Sequence, residues 1–493
     1  MDGKSLNLDL ALGIIIVLIF VGFSYTGLFI FEAMERTVYD AEMRFFHAKN
    51  LTDNKIALIE IDDKSLTRLG PWPWPRHYIA EMVGILKRNG VKLIGLYLPF
   101  FEKEPNQGLR EVKAFREKFN VYPMKKDHAM IKAWILDNLK QMEGNLDNDQ
   151  RLVKSVQQSG NVIIPVFTRR NIDKKRADRG KDLSIYDNVL TELNISASLK
   201  KRRSISQLSL PFAELAQTAL GLGYGNLRHE EGMGGRSHPM FINYKGSLLP
   251  SFPLRIAISY LSQQPRQVHV EENQIQLKDY SIPLINGEML IKFKNGQSAF
   301  PRYSFVDVLE DKKVPLALKG KIILIGPNFN KNRVISTPIS PNMSEVEFIA
   351  HTLDNTINNS HITRPHIIGY IEILAIFLLG GLASFFFPRM GQLSRLSLVA
   401  GLTALTLMTG AILFSMMAIW FKPICIAGCL ITIYLAVSAK QFFTAERRTG
   451  CSALTFRVKV SWILPLINSI NSPWMMRQKI SSITWGSNTN RNK

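Results

Sequence analysis

Four stretches of this chain are apolar for the length of a bilayer, and they constrain it more than any other feature. Residues 8–31 read LDLALGIIIVLIFVGFSYTGLFIF and carry a single charge, Asp9. Three more follow late in the chain and close together, at 367–387, 396–421 and 423–443. A membrane-crossing helix needs about 20 apolar residues, and each block meets or approaches that. One such block could be a buried core helix, but three in succession leave the bilayer as the only solvent that suits them. A mean hydropathy of +0.02 and a formal charge of +21 therefore misdescribe the chain, because they average apolar blocks with a polar region.

The first block exceeds the ~7–15 apolar residues of a cleaved signal peptide and ends in no small-x-small site, so it reads as an uncleaved signal anchor. Four spans put both ends on one side of the membrane and the large hydrophilic region, about 32–364, on the other. Arg389 and Arg395 flank the loop 388–394, Lys422 stands alone in the next loop, and the tail 444–493 is rich in Arg and Lys. The positive-inside tendency then makes the tail, the Arg389 loop and residues 1–7 cytoplasmic. The expected localisation is multi-pass in the inner (plasma) membrane, with the large region periplasmic or extracellular. That region holds no cysteine: Cys425 and Cys429 lie in the last span and Cys451 in the tail. The pair at i and i+4 is too small a donor set for a metal site and reads as helix packing.

Residues 32–365 hold 48 basic against 36 acidic residues, eleven of the basic ones between Arg169 and Arg203. Segment 169–206 reads as a solvated basic insertion. The positive charge thus divides between an exported domain and a cytoplasmic tail, and no nucleic-acid partner is expected.

Within the exported region, IALIEI at 56–61 has the β-branched run of a strand, and RHYIAEMVGILKR at 76–88 has helical spacing ended by Asn89-Gly90. VKLIGLYLPF at 91–100 reads as the next buried strand, completing a βαβ unit with a parallel sheet under helical cover. Further strands are expected at 161–168, 223–227, 240–244 and 321–325, with shorter ones through Ile275, Ile282 and 290–293. Helices are expected at 147–159, 252–261 and 345–358. The expected fold class is an α/β extracytoplasmic domain, with βαβ units and a mixed sheet, plus four α-helical transmembrane segments.

These residues resemble the opening of the type-2 CHASE domain, the cyclase/histidine-kinase-associated sensory extracellular domain. The likeness runs from Ile61-Asp62-Asp63 through GPWPWPR at 70–76 to the strand ending at Phe100. GLGYGN at 221–226, SLLPSFPLRIA at 247–257, GKIILIG at 320–326, TPIS at 337–340 and VEFIAHTLDN with Arg364-Pro365 continue it, over about residues 36–365. One span before the sensor and three after it also match that family. Gly95-Leu96-Tyr97 stands where Gly-x-Asp is usual, the loop PNFNKNRVIS after Gly326 lacks small and acidic residues, and Ser344 replaces a common Gly.

The ligand-binding candidates are Asp62, Asp63, Trp72, Trp74, Arg76, Tyr97 and Thr337. Asp62 and Asp63 follow a strand, where a carboxylate caps the next helical turn or faces a ligand at the sheet's carboxyl edge. Trp72 and Trp74, stiffened by prolines, suit packing on the sheet or ligand stacking. Arg76 opens a helix, against the dipole, and is expected to pair with Asp40, Asp62 or Asp63. Glu372 is the one acid in the clustered spans, open to a functional role or to snorkelling. The dispersed histidines, including His361 and His366, suggest no metal site, and no cofactor is expected.

No phosphate loop, kinase set, GxSxG, HExxH or CxxC motif occurs in the sequence. The resemblance implies a kinase or cyclase output after the last span, and 444–493 is too short to hold one. The tail reads either as a basic segment lying on the membrane or as an out-of-frame replacement for a lost output. The expected function is a membrane receptor for an unknown small-molecule or envelope signal, working as a homodimer in the lipid bilayer with a separate cytoplasmic kinase or cyclase. The alternatives are a structural or transport-associated membrane component and an exported enzyme using Asp62 and Asp63.

Overall fold

The computed structural model describes residues 3–46, 55–124, 128–168, 183–227, 234–294, 299–310, 317–329 and 334–449. These fall into two compact units, one made of residues 3–25, 374–404 and 425–449, the other of 26–373 and 405–424.

The larger unit is built on a seven-stranded sheet. Six strands run parallel, in the order Arg302–Ser304, Ile56–Ile61, Ile322–Pro327, Leu93–Leu96, Val162–Thr168 and Gly221–Tyr224. Leu208–Ser209 adds antiparallel to Val162–Thr168. Parallel strands buried on both faces read as continuous apolar runs. Ala57, Ile59 and Ile61 accordingly enter one core with Ile323 and Ile325, while Ile56 and Leu58 enter the other with Ile322 and Leu324. Helices Arg76–Arg88 and Asn148–Ser159 pack on each other and supply Ile79, Met82, Val83, Leu152 and Val156 to the first core. Phe252–Tyr260 and Glu345–Asn358 supply Phe252, Ile256, Ile349 and Leu353 to the second.

The strands expected at 56–61 and 91–100 are parallel, yet they are not neighbours, because Ile322–Pro327 lies between them. Gly95 makes that close packing feasible: a Cβ there would lie 2.6 Å from Leu324 Cδ2 and 2.8 Å from Ile256 Cδ1.

Residues 183–206, the second half of the expected insertion loop, carry regular structure. They form a 3₁₀ turn Leu183–Asn188, a strand Thr191–Glu192, a helix Ala197–Arg202 and a strand Ser204–Ile205. Arg203 is buried and pairs with Glu288 at 2.8 Å, and Asn188 accepts from Arg255 Nε at 2.7 Å and from the Leu222 N–H at 3.0 Å. Buried polar partners, invisible to local composition, tie this segment down. The first half, 169–182, lies outside the described residues, as do the tail from 450 and Cys451.

Four helices are long and apolar enough to cross a membrane, over Asp9–Thr26, His366–Arg389, Gln392–Met417 and Ile424–Thr444. The first ends earlier than residue 31. Gly27 takes φ +67, and a second helix, Phe29–Phe45, starts beyond it. The last helix, Ile424–Thr449, runs past residue 443. In the smaller unit, small residues permit close helix approach. A Cβ on Gly380 would lie 2.7 Å from Val17 Cγ2 and 3.1 Å from Cys429 Sγ. Polar pairs join helices of this unit as well, with Lys440 Nζ 2.6 Å from Asp9 and Arg395, on helix Gln392–Met417, donating to Ser438 Oγ at 3.1 Å and Gln441 Oε1 at 2.6 Å.

Candidate functional site

At the carboxyl edge of the parallel sheet, where α/β proteins usually bind ligands, Asp62 makes structural bonds. Asp62 is the N-cap of helix Asp63–Leu69 and accepts from the Ser65 N–H at 2.9 Å, Ser65 Oγ at 2.6 Å and Ser304 Oγ at 2.8 Å. Burial alone would raise its pKa, but the hydrogen bonds from Ser65 and Ser304 outweigh that and hold it below the usual value. Asp63 is exposed in the first helical turn. Trp74 is buried, donates Nε1 to the Gly70 carbonyl at 2.7 Å and packs on Phe305, with Trp72 edge-on at 5.4 Å.

Arg76 does not pair with Asp40, Asp62 or Asp63. It pairs with Asp149 and donates to the Glu102 carbonyl, its guanidinium over the ring of Phe212 at 5.0 Å. Glu104 accepts the Arg76 N–H at 3.0 Å and so offsets the helix-start charge. The reason is packing: helix Arg76–Arg88 lies along Asn148–Ser159, which brings in a partner 73 residues away. Asp40 instead holds Arg236 through two bonds of 2.7 and 2.6 Å.

Tyr97 is buried and donates to the Gly225 carbonyl at 2.8 Å. Thr337 closes the TPIS turn, with its Oγ1 on the Ser340 carbonyl at 2.9 Å. The structure therefore gathers Trp72 with Trp74 and gives Asp62, Arg76, Tyr97 and Thr337 separate partners.

A polar cluster beside these residues was not legible in the sequence. Arg302, on the edge strand, pairs with Glu60 at 3.2 Å and with Glu347 in the first turn of helix Glu345–Asn358, and Asn328 donates to Glu60 at 3.0 Å. Burial raises the Glu347 pKa, against the pull of Arg302. Behind it, His238 and His351 are buried, and neither His238 nitrogen nor His351 Nε2 has a hydrogen-bond partner among the described residues. Burial pushes both histidines down to about 3, so they are neutral at pH 7.

Another polar arrangement lies within the larger unit, among residues 32–42, 364–372 and 410–424. Arg364, at the close of the large hydrophilic region, forms a two-pronged pair with Glu372 on the following helix, at 3.0 and 2.7 Å. Arg364 also reaches the Trp420 carbonyl at 3.1 Å and stacks on its ring. Glu372 accepts the Lys422 N–H at 2.7 Å, and Lys422 Nζ pairs with Glu32 on helix Phe29–Phe45. Glu35, one turn on, accepts the Ile424 N–H at 2.7 Å. Tyr39, on the same face, sits edge-on to Phe414 and Trp420. Glu42 is buried beside Gly410, and burial raises its pKa to about 7. A buried carboxylate keeps its charge only with fixed partners, which Glu372 has. Glu372 therefore binds an arginine and a backbone N–H rather than snorkelling to water. A signal was present in Glu32 and Glu35 directly after the first apolar block, but their partners lie nearly 400 residues on.

Among the described residues no group of three or more His, Cys, Asp or Glu is placed to hold a metal ion. No curated protein and no solved structure matches the chain. The CHASE2 domain family matches residues 14–384, most of the sequence, with the whole sheet and the greater part of the first two membrane-length helices. CHASE2 is a sensory, non-catalytic domain. With the αβ sheet, four membrane-length helices and this match together, the chain belongs to the CHASE2 domain family.

Proposed function

We propose that the protein is a membrane-bound receptor whose sheet unit detects an extracytoplasmic signal and passes it to the membrane helices through the Arg364–Glu372–Lys422–Glu32 junction. The observation that carries this reading is that junction. It joins the last residue pair of the sheet domain, the start of one membrane-length helix, the entry to another and the helix that follows the anchor. A ligand that favours one of two arrangements of the sheet unit would shift the junction by its difference in affinity for them. The homodimer and a separate cytoplasmic kinase or cyclase belong to the same reading.

The test uses the full chain in detergent, with a fluorophore at Phe443→Cys in a chain whose native cysteines are replaced. Small molecules are screened first for a rise in the unfolding midpoint, then for a change in that fluorophore's signal. The reading expects hits that do both, and Arg364→Leu should keep the binding while losing the signal change. Hits that bind without moving the reporter, or a response that survives Arg364→Leu, would contradict it.

A further inference from the structure

Beside the junction lies a cavity of about 670 Å³, within the range of about 300–1,000 Å³ typical of small-molecule sites. Its walls come from the small sheet around Ser281–Pro283, from the segment 359–366, and from Met416, Met417 and Ala418. Backbone bonds hold those walls together: the Thr363 N–H donates to the Ala418 carbonyl at 2.8 Å, and the Trp420 N–H to the Thr363 carbonyl at 2.9 Å. His366, in the lining, begins one membrane-length helix, and Met417 ends another.

The lining is divided in character. Met416 and Met417 are 80% and 62% exposed, an apolar lip at the end of a span. The lining also holds polar residues, Asn273, Asn359, Ser360, Lys292 and His361. Arg364 is already committed to Glu372, so it is not the cation this space offers. The Lys292 backbone is fixed by Asn355, which accepts its N–H at 2.6 Å and donates to its carbonyl at 2.9 Å, while its ammonium has no partner among the described residues. His361 is only 9% exposed, and its Nδ1 also lacks a partner among the described residues. Burial pushes the ring down to about 4, so at neutral pH it brings an N–H and no charge. A single cation, a neutral donor and several amide and hydroxyl groups next to an apolar lip suit a singly charged head carrying an apolar tail.

We propose that this cavity binds the headgroup of an anionic phospholipid, its phosphate on Lys292 and His361, its head hydroxyls on Asn359 and Ser360, and its acyl chain leaving past Met416 and Met417. A free phosphate ester shares the head chemistry. The membrane lipid is favoured because two membrane-length helices start and end in the cavity wall and the exposed methionines give a free phosphate nothing. The site does not depend on the sensing reading, since a receptor with a soluble ligand and one without both need a fixed depth in the membrane.

The experiment measures the unfolding midpoint of the full chain in neutral detergent, each variant against its own lipid-free value. Phosphatidylglycerol, phosphatidylcholine and inorganic phosphate are the added probes. A bound ligand stabilises in proportion to the logarithm of its concentration over its dissociation constant. Phosphatidylglycerol is expected to raise the midpoint by several degrees, with little rise from the other two. Lys292→Gln and Asn273→Asp should each at least halve that rise, the second by placing a negative charge in the lining, while Lys278→Gln, in the turn between two strands of the small sheet, keeps it. An equal rise with phosphatidylcholine or with phosphate alone would overturn the proposal. So would a full rise in both Lys292→Gln and Asn273→Asp, or its loss in Lys278→Gln.

Discussion

Asp62 shows how a residue that looks like a binding group also serves structure. One carboxylate oxygen, Oδ1, accepts a helix-start N–H and two serine hydroxyls. Removing it as Asp62→Ala should cost about 1–2 kcal/mol, the usual scale for losing an N-cap, measured as a lower denaturation midpoint. Arg364 and Glu372 set a larger stake, because Glu372 is almost fully buried. Arg364→Ala leaves that carboxylate without its cation and should cost on the order of 3 kcal/mol. The double variant Arg364→Ala with Glu372→Ala should cost less than the sum of the singles, by on the order of 1–3 kcal/mol. Strict additivity in that cycle would show that the pair does not interact as drawn. The Arg76 partner was misread for a reason that holds at this scale generally. Nearby carboxylates in sequence compete with ones that packing delivers, and only the fold says which arrive.

At the scale of elements, strand Ile56–Ile61 and helices Arg76–Arg88 and Glu345–Asn358 were legible to the residue, because each carries its own apolar period and its own stop. The pairing of strands was not, since Ile322–Pro327 inserts between two strands that precede it by over 200 residues. Segment 183–206 was misread as solvated because its basic residues hide Arg203 and Asn188, whose burial rests on distant partners. Buried titratable groups on these elements give the fold a pH dependence with two limbs. His238 and His351 sit near 3 in the folded chain, pushed there by burial and by nearby Arg203, Lys294 and Arg302. The unfolded chain, with histidines near 6.5, binds more protons between these values, so stability falls as pH drops from about 6.5 towards 3. Glu42 acts in the opposite sense: its folded pKa near 7 lies above the unfolded one, so its ionisation removes stability as pH rises from about 4.5 to 7. Unfolding midpoints across pH should show His238→Leu with His351→Leu flattening the acid limb alone and Glu42→Gln flattening the other. Unchanged acid slopes in the double histidine variant would mean that those rings are hydrated and titrate freely.

For the whole molecule, the four apolar blocks and the order of motifs were enough to place the chain in its family, while the sites that matter most were not readable. The junction joins Glu32, Arg364, Glu372 and Lys422 across most of the sequence, and the cavity beside it combines two helix ends with a small sheet. The proposed receptor role needs the large hydrophilic region on the opposite side of the bilayer from the Arg389 loop, which makes that topology the central claim. It can be measured by labelling single cysteines with a membrane-impermeant maleimide, in a chain with Cys425, Cys429 and Cys451 replaced. The account predicts that Lys118→Cys, exposed on helix Gln107–Val121, is labelled in intact spheroplasts, whereas Ser394→Cys is labelled only after the membrane is permeabilised. Labelling of Ser394→Cys in intact spheroplasts with Lys118→Cys protected would contradict it.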